Sequence, residues 1–459
     1  MTKHILSKST FMYGCQCPKR LYLHKFKPEL CNEEDEQQTA IFAAGTNAGV
    51  LARDLYKDGF DATPPNSYSY HIAVAQTAEQ IANGQRVIYE AAFQYDGVMC
   101  AVDILVKKED GWHAFEVKST NSLKAQHQDD AALQHYVVSK SGLPLKEFSV
   151  VHFNRTYVRK GDIDVKQLFV ATSVKDYALT QENFIASKID ALKSILANKV
   201  EPMIEPGDFC FTPYECNFTN NCWKGITVEE MPEPYFNPYV DGHFLMQFTE
   251  QLAYPLFYMD FETVMYGVPE FDSSSPYQQI PFQFSGHIVR KMGRKPEHTA
   301  YLGDGSTDPR PEFIKALIEA VPEYGSIIVY NVGFERSCIK KLAENFPEYA
   351  QALLAISERM VDLMIPFRNK SICFHAFGGS YSLKKVLPTL VPSLKYSALE
   401  IQEGGTASFV YSQLQYQDDE TRALQRQQLL DYCHLDTLAM VKIMDWIYQY
   451  LEPDIIKTT

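Results

Sequence analysis

Three short acidic segments in the second half of the chain carry residue types that hold divalent metal ions. Asp260 and Glu262 follow one apolar run, Glu335 follows a second, and Tyr432 and Asp436 stand four residues apart in a third segment. Four carboxylates of this kind suit a pair of divalent cations. Two such cations promote attack on a phosphodiester bond. The residue types therefore predict metal-dependent phosphodiester hydrolysis.

The order of these motifs resembles that of the DEDD exonucleases of the RNase H-like superfamily, in the variant whose third motif carries a tyrosine. The resemblance implies 3′→5′ removal of nucleotides with Mg²⁺ or Mn²⁺ as the metal. It assigns the role of metal ligand to Asp260, Glu262, Glu335 and Asp436. The tyrosine of the third motif, here Tyr432, would orient the attacking water.

The second motif and a later segment extend this resemblance. Glu335 stands where these enzymes more often have Asp, which keeps the charge but adds a methylene. Asp362 belongs to an Asp-Leu pair that often accompanies the second motif, and it is the alternative ligand if Glu335 faces away. Residues 380–387 resemble the Ser-Leu-Lys helix start of the family, which predicts an element that faces the substrate.

A second potential active site lies in the first half of the chain. Residues 98–106 and 112–118 predict two strands joined by a turn. Glu116 and Lys118 are two apart on a strand and therefore point to the same face, and the hairpin can bring Asp103 alongside them. Two carboxylates can hold a divalent ion while an ammonium group orients a water and stabilises developing phosphate charge.

This hairpin resembles the PD-(D/E)XK motif of RecB-like nucleases. The residues that the resemblance assigns to catalysis and metal binding are Asp103, Glu116 and Lys118. Gln134, on the predicted helix that follows, is carried over as a site residue, whereas Tyr136 is predicted to pack. Glu90 is a further acidic ligand or, alternatively, a solvated edge residue. Many relatives have a metal-binding His after a glycine on the first helix, and residues 44–50 contain none.

Ten cysteines in a chain without an evident export signal are interpreted as metal ligands or reduced thiols. Cys210, Cys216 and Cys222 lie in a segment rich in Pro and Asn, whose turns let the sulfurs converge. Cys17 is the candidate for a fourth ligand, with Cys15 as the alternative. The arrangement resembles the iron–sulfur staple of RecB-family nucleases, which implies a [4Fe–4S] cluster. Zinc is the alternative, because four thiolates also form a zinc site.

The elements that must position these residues alternate between strands and helices. In the first half, strands are predicted near residues 86–94, 98–107, 112–118 and 147–153, with helices near 129–139 and 176–199. In the second half, the strand of Asp260 is followed by strands near 282–289 and 326–330 and a helix near 335–346. The predicted fold class is α/β: a PD-(D/E)XK restriction-endonuclease-like domain over residues 1–232, a linker over 233–250 and an RNase H-like mixed-sheet domain over 251–459.

Composition restricts the classes of function. The 459 residues include 43 Lys and Arg against 57 Asp and Glu, a net charge of −14. A protein that coats nucleic acid passively by neutralising phosphates is usually more basic, so the acidic balance favours an enzyme. No stretch of about 18 consecutive apolar residues occurs, and the first residues lack the apolar core of a signal peptide. We therefore expect a cytoplasmic protein.

Taken together, the motifs resemble a bacterial two-nuclease arrangement whose C-terminal part is classed as domain of unknown function 2779. The implied function is metal-dependent degradation or processing of nucleic-acid ends in repair or in defence against foreign DNA, with a helicase or another repair protein as partner. DNA is the expected polymer. The alternatives are an RNA exonuclease and a non-catalytic nucleic-acid-binding scaffold built from decayed nuclease folds.

Overall fold

The computed structural model describes residues 5–32, 47–66, 69–224 and 238–452. The chain forms two compact units. Unit 1 comprises Met1–Val228 with Gly267–Tyr277, and unit 2 comprises Glu229–Tyr266 with Gln278–Thr459. Each unit contains a mixed β-sheet together with helices. The α/β class expected from the sequence is therefore confirmed.

The segment Gly267–Tyr277 lies within the predicted C-terminal domain but packs into unit 1. Its hydrogen bonds explain why. Arg159 donates from Nη1 to the Pro269 carbonyl oxygen at 2.9 Å, and the Tyr277 hydroxyl donates to the Ser119 carbonyl oxygen at 2.5 Å. The chain therefore returns to unit 1 after the first acidic motif, which its local sequence did not indicate.

The predicted linker, residues 233–250, belongs in part to unit 2. Residues up to 237 lie outside the described part of the chain. From residue 239 the chain forms a short strand and then the helix Gly242–Glu250, which Asp241 caps by accepting a hydrogen bond from the Phe244 N–H at 3.0 Å. Leu245 and Phe248 of this helix are buried. The apolar spacing of three residues thus forms part of a core rather than a linker.

The described strands of unit 1 form one sheet. They are β1 (Leu6–Ser7), β2 (Phe60–Asp61), β3 (Val87–Tyr95), β4 (Val98–Lys108), β5 (Gly111–Lys118), β6 (Leu145–Phe153) and β7 (Phe169–Ser173). The order is β2-β3-β4-β5-β6-β7, and β1 pairs with β4. The pairs β1–β4, β2–β3 and β5–β6 are parallel, whereas β3–β4, β4–β5 and β6–β7 are antiparallel. The four strands predicted in this half are all present within one or two residues.

The helices of unit 1 cover this sheet. Those with both ends in the described part of the chain are α1 (Lys8–Gln16), α2 (Pro18–Phe26), α3 (Tyr70–Ala82), α4 (Ala125–Lys140), α5 (Val165–Leu168), α6 (Lys175–Thr180), α7 (Glu182–Asn198) and α8 (Thr219–Cys222). Helix α4 is buried continuously from Asp130 to Val138, so it lies inside the unit rather than on its surface. The single helix predicted over 176–199 is interrupted at Gln181, which ends α6 and begins α7.

Unit 2 contains a five-stranded sheet and a separate two-stranded ribbon among its described residues. The strands are β8 (Tyr239–Val240), β9 (Leu256–Val264), β10 (Ile280–Val289), β11 (Glu297–Leu302), β12 (Ile327–Val329), β13 (Met360–Asp362) and β14 (Ile372–Cys373). The main order is β11-β10-β9-β12-β13. β9 is therefore central, antiparallel to β10 and parallel to β12, which accounts for its nearly continuous apolar sequence.

The helices of unit 2 are α9 (Gly242–Glu250), α10 (Arg310–Ala320), α11 (Val332–Asn345), α12 (Ala350–Glu358), α13 (Ile365–Arg368), α14 (Leu383–Leu390), α15 (Gly404–Gln413) and α16 (Asp419–Leu451). Helix α11 begins three residues before its predicted start. Asn331 precedes it with a φ of 76°, a left-handed conformation that Asn tolerates better than most residues. This conformation lets the chain turn directly from β12 into α11.

The long helix α16 places the third acidic motif over the sheet. It begins after Asp418, whose side chain accepts a hydrogen bond from the Thr421 N–H at 2.9 Å. Its first part is largely exposed, but from Leu429 onward one face is buried against β9 and β10. Each large apolar side chain buried there contributes about 1.5–3 kcal/mol of transfer free energy. This packing holds Tyr432 and Asp436 against the strand of Asp260.

Candidate active sites

The acidic cluster of unit 2 is built from one strand and one helix. Asp260 and Glu262 are two apart on β9 and point to the same face. Tyr432 and Asp436 are four apart on α16 and share one helix face. Side-chain oxygens of Asp260 and Glu262 and the sulfur of Cys433 lie within 4.8 Å of one another, a separation that permits a shared metal ion. The structure thus brings the first and third motifs together.

These carboxylates are buried as well as close. Glu262 and Asp436 each retain 7% of their exposed surface. Burial, and then the charges of Asp436, Glu262 and Glu335, raise the pKa of Asp260 well above its usual value. Burial likewise raises the pKa of Glu262, with Asp436 as the next contributor. Negative charges crowded in this way favour a bound cation, which would lower their mutual repulsion.

Asp436 is held by two tyrosines. Burial raises its pKa to about 7, although hydrogen bonds from the hydroxyls of Tyr396 and Tyr432 and the charge of Lys384 oppose the shift. The Tyr396 hydroxyl donates to Oδ1 of Asp436. The sequence had not indicated Tyr396, which lies forty residues before its partner and outside any recognised motif. Only the approach of its loop to α16 shows that it belongs to the site.

Lys384 supplies positive charge at this cluster. Its ammonium group lies 5.9 Å from the ring centroids of both Tyr396 and Tyr432. It is exposed, at the start of α14, and its charge lowers the pKa of both Glu262 and Asp436. The predicted helix start at residues 380–387 is therefore adjacent to the cluster, with its lysine available to an anionic ligand.

Glu335 lies within electrostatic reach of Asp260 and Glu262, since its charge contributes to the raised pKa of both. Glu335 is almost completely buried, and its Oε2 atom has no hydrogen-bond partner. Asp362, the alternative ligand, binds main-chain N–H groups. Its Oδ1 accepts hydrogen bonds from the N–H groups of Asn331 at 3.1 Å and Met364 at 2.9 Å. Oδ2 of Asp362 also lacks a hydrogen-bond partner, but it lies 3.7 Å from the Arg368 guanidinium. The charge of Glu335 acts on both Asp260 and Glu262, which favours Glu335 as the ligand.

Glu335 is expected to make the metal-free protein less stable as the pH rises. Burial raises its pKa to about 8, whereas an unfolded chain has a Glu pKa of about 4.3. Between these values the folded protein retains a proton that the unfolded chain releases. The free energy of unfolding therefore falls with rising pH, by up to about 1.4 kcal/mol per pH unit from this group.

The variant Glu335→Gln should flatten that pH dependence. The measurement is urea unfolding in the presence of a chelator between about pH 5 and about pH 8. Glu319→Gln, at an exposed position on α10, is the matched control and should keep the original slope. Equal slopes for the two variants would contradict a protonated, buried Glu335.

The hairpin site of unit 1 forms between β4 and β5. Asp103 accepts a hydrogen bond from the Val117 N–H through Oδ2 at 2.6 Å, which fixes its carboxylate beside the Glu116 strand. Lys118 donates from Nζ to Oε1 of Glu116 at 2.7 Å. The other oxygen of Glu116, Oε2, is buried without a hydrogen-bond partner. The structure thus brings the three predicted residues of this hairpin together.

Two further residues complete the hairpin site, and the sequence had not indicated either. Lys8, the first residue of α1, donates from Nζ to Oε1 of Glu116 at 2.7 Å. Asp130 on α4 accepts a hydrogen bond from Lys118 and lies 3.6 Å from the Lys8 ammonium. No local pattern marks them, because they reach Glu116 from elements that are remote in the chain.

The electrostatics of the hairpin site shift the pKa values of its two carboxylates in opposite directions. Burial raises the pKa of Asp103 to about 8, and the charge of Glu116 adds to the shift. Burial alone would raise the pKa of Glu116, but the ammonium groups of Lys118 and Lys8 outweigh it and hold that pKa below its usual value. Glu116 is therefore the charged member of the pair, and Asp103 is the one that a cation would deprotonate.

The remaining predicted residues of unit 1 have different environments. Glu90 has a φ of 52° and lies 3.5 Å from the Arg53 guanidinium, and its charge raises the pKa of Asp103. Gln134 is fully buried, and neither its Oε1 nor its Nε2 has a hydrogen-bond partner. Tyr136 packs edge-on against Tyr95, as predicted. Residues 44–50, where many relatives have a metal-binding histidine, are described only from residue 47.

The four predicted cysteines line one small pocket of unit 1, namely Cys17, Cys210, Cys216 and Cys222. Cys17 immediately precedes α2, and the Cys216 N–H donates to the Cys210 carbonyl oxygen at 2.7 Å. Gln16 holds the loop by donating from Nε2 to the carbonyl oxygens of Phe209 at 2.9 Å and Tyr214 at 2.8 Å.

Cys15, the alternative ligand, is not among the residues that line this pocket. It packs instead against the main core of unit 1, and burial raises the pKa of its thiol to about 11. Of the two cysteines proposed for the fourth position, the geometry therefore favours Cys17. Cys17 directly precedes α2, whereas the other three cysteines follow α7, so the pocket joins segments that are remote in the chain.

The fold and its sites define a mixed α/β protein with two buried carboxylate clusters in separate units and a pocket lined by four cysteines. Residues 257–382 match the model of a family described as Domain of unknown function (DUF2779). The matched span begins in β9 and includes Asp260, Glu262 and Glu335 but neither Tyr432 nor Asp436. The part of the expected resemblance that concerns this domain is thereby confirmed.

One curated relative is an uncharacterized protein of Ureaplasma parvum serovar 3. It is 31% identical over 169 residues, which cover 32% of this chain and 24% of the relative. The chain therefore spans about a quarter of the length of this relative. No solved structure matches the chain. Among the described helices, none has both the length and the apolar character needed to cross a membrane.

Proposed function

We propose that the protein is a metal-dependent nuclease with two active sites and that DNA is its polymer. In this proposal unit 2 is an RNase H-like DEDD exonuclease of the tyrosine variant, and unit 1 is a RecB-like PD-(D/E)XK nuclease. One observation carries the proposal: buried Glu262 and Asp436 and half-buried Asp260 converge across β9 and α16. Unpaired buried carboxylates are costly, so their convergence favours a site that binds cations.

The residues of unit 2 fit Mg²⁺ or Mn²⁺. Both ions prefer oxygen ligands, and Asp260, Glu262, Glu335 and Asp436 supply carboxylates. Glu335 adds a buried oxygen without a hydrogen-bond partner. When bound, the metals would activate a water and stabilise the charge of the phosphate.

The other groups of this site act on the water and the substrate. Burial and the charges of Asp436, Glu262 and Asp260 raise the pKa of Tyr432, so its phenol keeps its proton and orients a water rather than deprotonating it. Tyr396 holds the Asp436 carboxylate in place through its hydrogen bond. Lys384 is exposed and can attract the phosphate of an incoming strand. An open groove is lined by a lysine and two serines together with an acid, a histidine and three leucines, and it provides mixed surface for that strand; the residues are Ser393, Leu394, Lys395, Ser397, Leu399, Asp431, His434 and Leu435.

In unit 1, Asp103 and Glu116 would hold the cation, with Glu90 as a further ligand. Lys118 would stabilise the phosphate charge. Lys8, at the start of α1, neutralises the charge of Glu116. Gln134 contributes buried polar atoms that lack partners in the protein, which favours a role at the site over a role in the core.

The test is incubation of the purified protein with Mg²⁺ or Mn²⁺ and with end-labelled single- and double-stranded DNA and RNA. The expected result is release of mononucleotides from DNA 3′ ends, which a chelator prevents. Preferential release from RNA would instead support an RNA exonuclease. Binding of all substrates without cleavage would support the scaffold alternative and contradict the proposed enzyme.

We also propose that Cys17, Cys210, Cys216 and Cys222 hold a [4Fe–4S] cluster. Zinc–thiolate bonds of about 2.3 Å need sulfur atoms roughly 3.8 Å apart. Among the described residues, no three of these sulfurs lie within 4.8 Å of one another. A cluster binds each thiolate through a different iron and so accommodates a wider spread. When bound, it would connect the N-terminal helices of unit 1 with the loop after α7.

The cysteine pocket gives a prediction about stability. Cys216→Ser should lower the iron and sulfide content of anaerobically purified protein and destabilise unit 1 by about 2–5 kcal/mol, on the scale of a lost covalent cross-link. The measurements are iron and sulfide analysis, visible absorbance and thermal unfolding. Cys15→Ser is the matched control and should keep the cluster. Stoichiometric zinc without iron in anaerobic wild-type protein would contradict the cluster.

A further inference from the structure

Three histidines from three different elements of unit 2 converge. His287 and His298 are paired residues on the neighbouring strands β10 and β11, and His434 lies on α16. The ring centroids are 4.7 Å apart for His287 and His298, 4.8 Å for His287 and His434, and 4.3 Å for His298 and His434. One nitrogen of each ring lies within 4.8 Å of the other two.

Hydrogen bonds behind two of these rings engage one nitrogen of each. Oγ1 of Thr437 lies 2.8 Å from Nδ1 of His287 and 2.7 Å from Oγ of Ser285. Oγ of Ser285 in turn lies 3.0 Å from Nε2 of His298. The two hydroxyls therefore hold both rings in place.

With Nδ1 of His287 and Nε2 of His298 engaged in this way, Nε2 of His287 and Nδ1 of His298 are the nitrogens available to a metal ion. An outer hydrogen bond that selects the tautomer and orients the ring is the usual support for a histidine that binds a metal. Burial, and then the neighbouring His298 and His434 rings, lower the pKa of His287 to about 3, so the ring is neutral.

We propose that His287, His298 and His434 bind one Zn²⁺ ion, with none of its ligands taken from the carboxylate cluster. Imidazole suits zinc, whereas Mg²⁺ and Mn²⁺ prefer carboxylate oxygens, so the two sites select different metals. Zinc–nitrogen bonds of about 2.0–2.1 Å require nitrogens roughly 3.4 Å apart, which rotation of the exposed His298 ring can approach. The fourth position of the tetrahedron is left to water.

The expected consequence of zinc binding is mechanical. His287 lies on the strand that pairs with β9, and His434 is two residues before Asp436. A zinc ion at this cluster would join α16 to β10 and β11 and so hold the helix that carries Tyr432 and Asp436. The proposal does not depend on the nuclease reaction.

The test uses full-length protein stripped with a chelator and then supplied with zinc alone. Bound zinc is counted by elemental analysis after desalting, and its affinity is measured by competition with a chromophoric chelator. His298→Ala should bind one zinc ion fewer per chain than the wild type, or bind that ion about 100-fold more weakly. His243→Ala, at an exposed position on α9, is the matched control and should bind zinc like the wild type.

Two further measurements keep the assignment testable. Cobalt in place of zinc should give visible d–d absorption bands that are lost in His298→Ala. These bands are distinct from the thiolate-to-cobalt charge-transfer bands of cobalt bound to cysteines. His298→Asp, which keeps a ligand atom, should recover part of the affinity. Wild-type protein that binds no zinc, or the same number and affinity of zinc ions in His298→Ala, would overturn the proposal. Either result can coexist with an active nuclease.

Discussion

Replacing Asp260 by Asn is expected to reduce 3′→5′ release of mononucleotides by at least about a thousandfold, equivalent to about 4 kcal/mol of transition-state stabilisation. Asp260 is the carboxylate whose pKa responds to Asp436, Glu262 and Glu335 together, so it occupies the electrostatic centre of the cluster. Its loss would weaken cation binding and remove charge stabilisation of the phosphate at the same time. The variant should also bind Mn²⁺ more weakly in a direct titration.

The measurement is the initial rate of mononucleotide release from end-labelled DNA, with the hairpin site disabled in every sample. Glu319→Gln, on the exposed surface of α10, should retain the parent rate. Asp260→Asn should be at least as stable as the parent in metal-free buffer, because it removes a buried negative charge among other carboxylates. Release that continues at the parent rate would refute the assignment of this cluster as the exonuclease site.

Replacing Lys118 by Met is expected to lower the rate of cleavage by unit 1 about a hundredfold to a thousandfold. The ammonium group contacts both Glu116 and Asp130, so it is held in one place beside the proposed metal ligands. Met keeps the length of the side chain but cannot stabilise phosphate charge. Lys8, whose ammonium lies 2.7 Å from Oε1 of Glu116 in the wild-type protein, should keep the buried carboxylate compensated and the fold intact.

This variant is tested in the Asp260→Asn background, so that any remaining cleavage comes from unit 1. Linear and circular DNA serve as substrates, and circular dichroism verifies the fold. Lys166→Met, at an exposed position on α5, is the matched control and should cut at the parent rate. If Lys118→Met also cuts at that rate, the hairpin is a structural ion-pair network. Lys8→Met then distinguishes the two lysines, since its main expected effect is on stability.

Much of the fold could be predicted because its signals are local. The runs that form β3, β4, β5 and β6 are apolar with turn residues at their ends, and they were placed within one or two residues. The acidic residues at the first and third motifs stood out because charged side chains rarely occur next to buried apolar segments. The predicted linker was less accurate, since the aromatic residues of α9 join a core that only the rest of unit 2 completes.

The sequence by itself determined the chemical types present: two sets of carboxylates, a lysine two residues after a glutamate, and cysteines in a turn-rich loop. Only the tertiary structure decided which groups complete each site. Lys8 reaches Glu116 across 108 positions, and Tyr396 reaches Asp436 across 40. The histidine cluster likewise depends on the pairing of β10 with β11 and on the packing of α16. Contacts of this range depend on the positions of whole helices and strands, which burial of apolar surface sets collectively and no local spacing encodes.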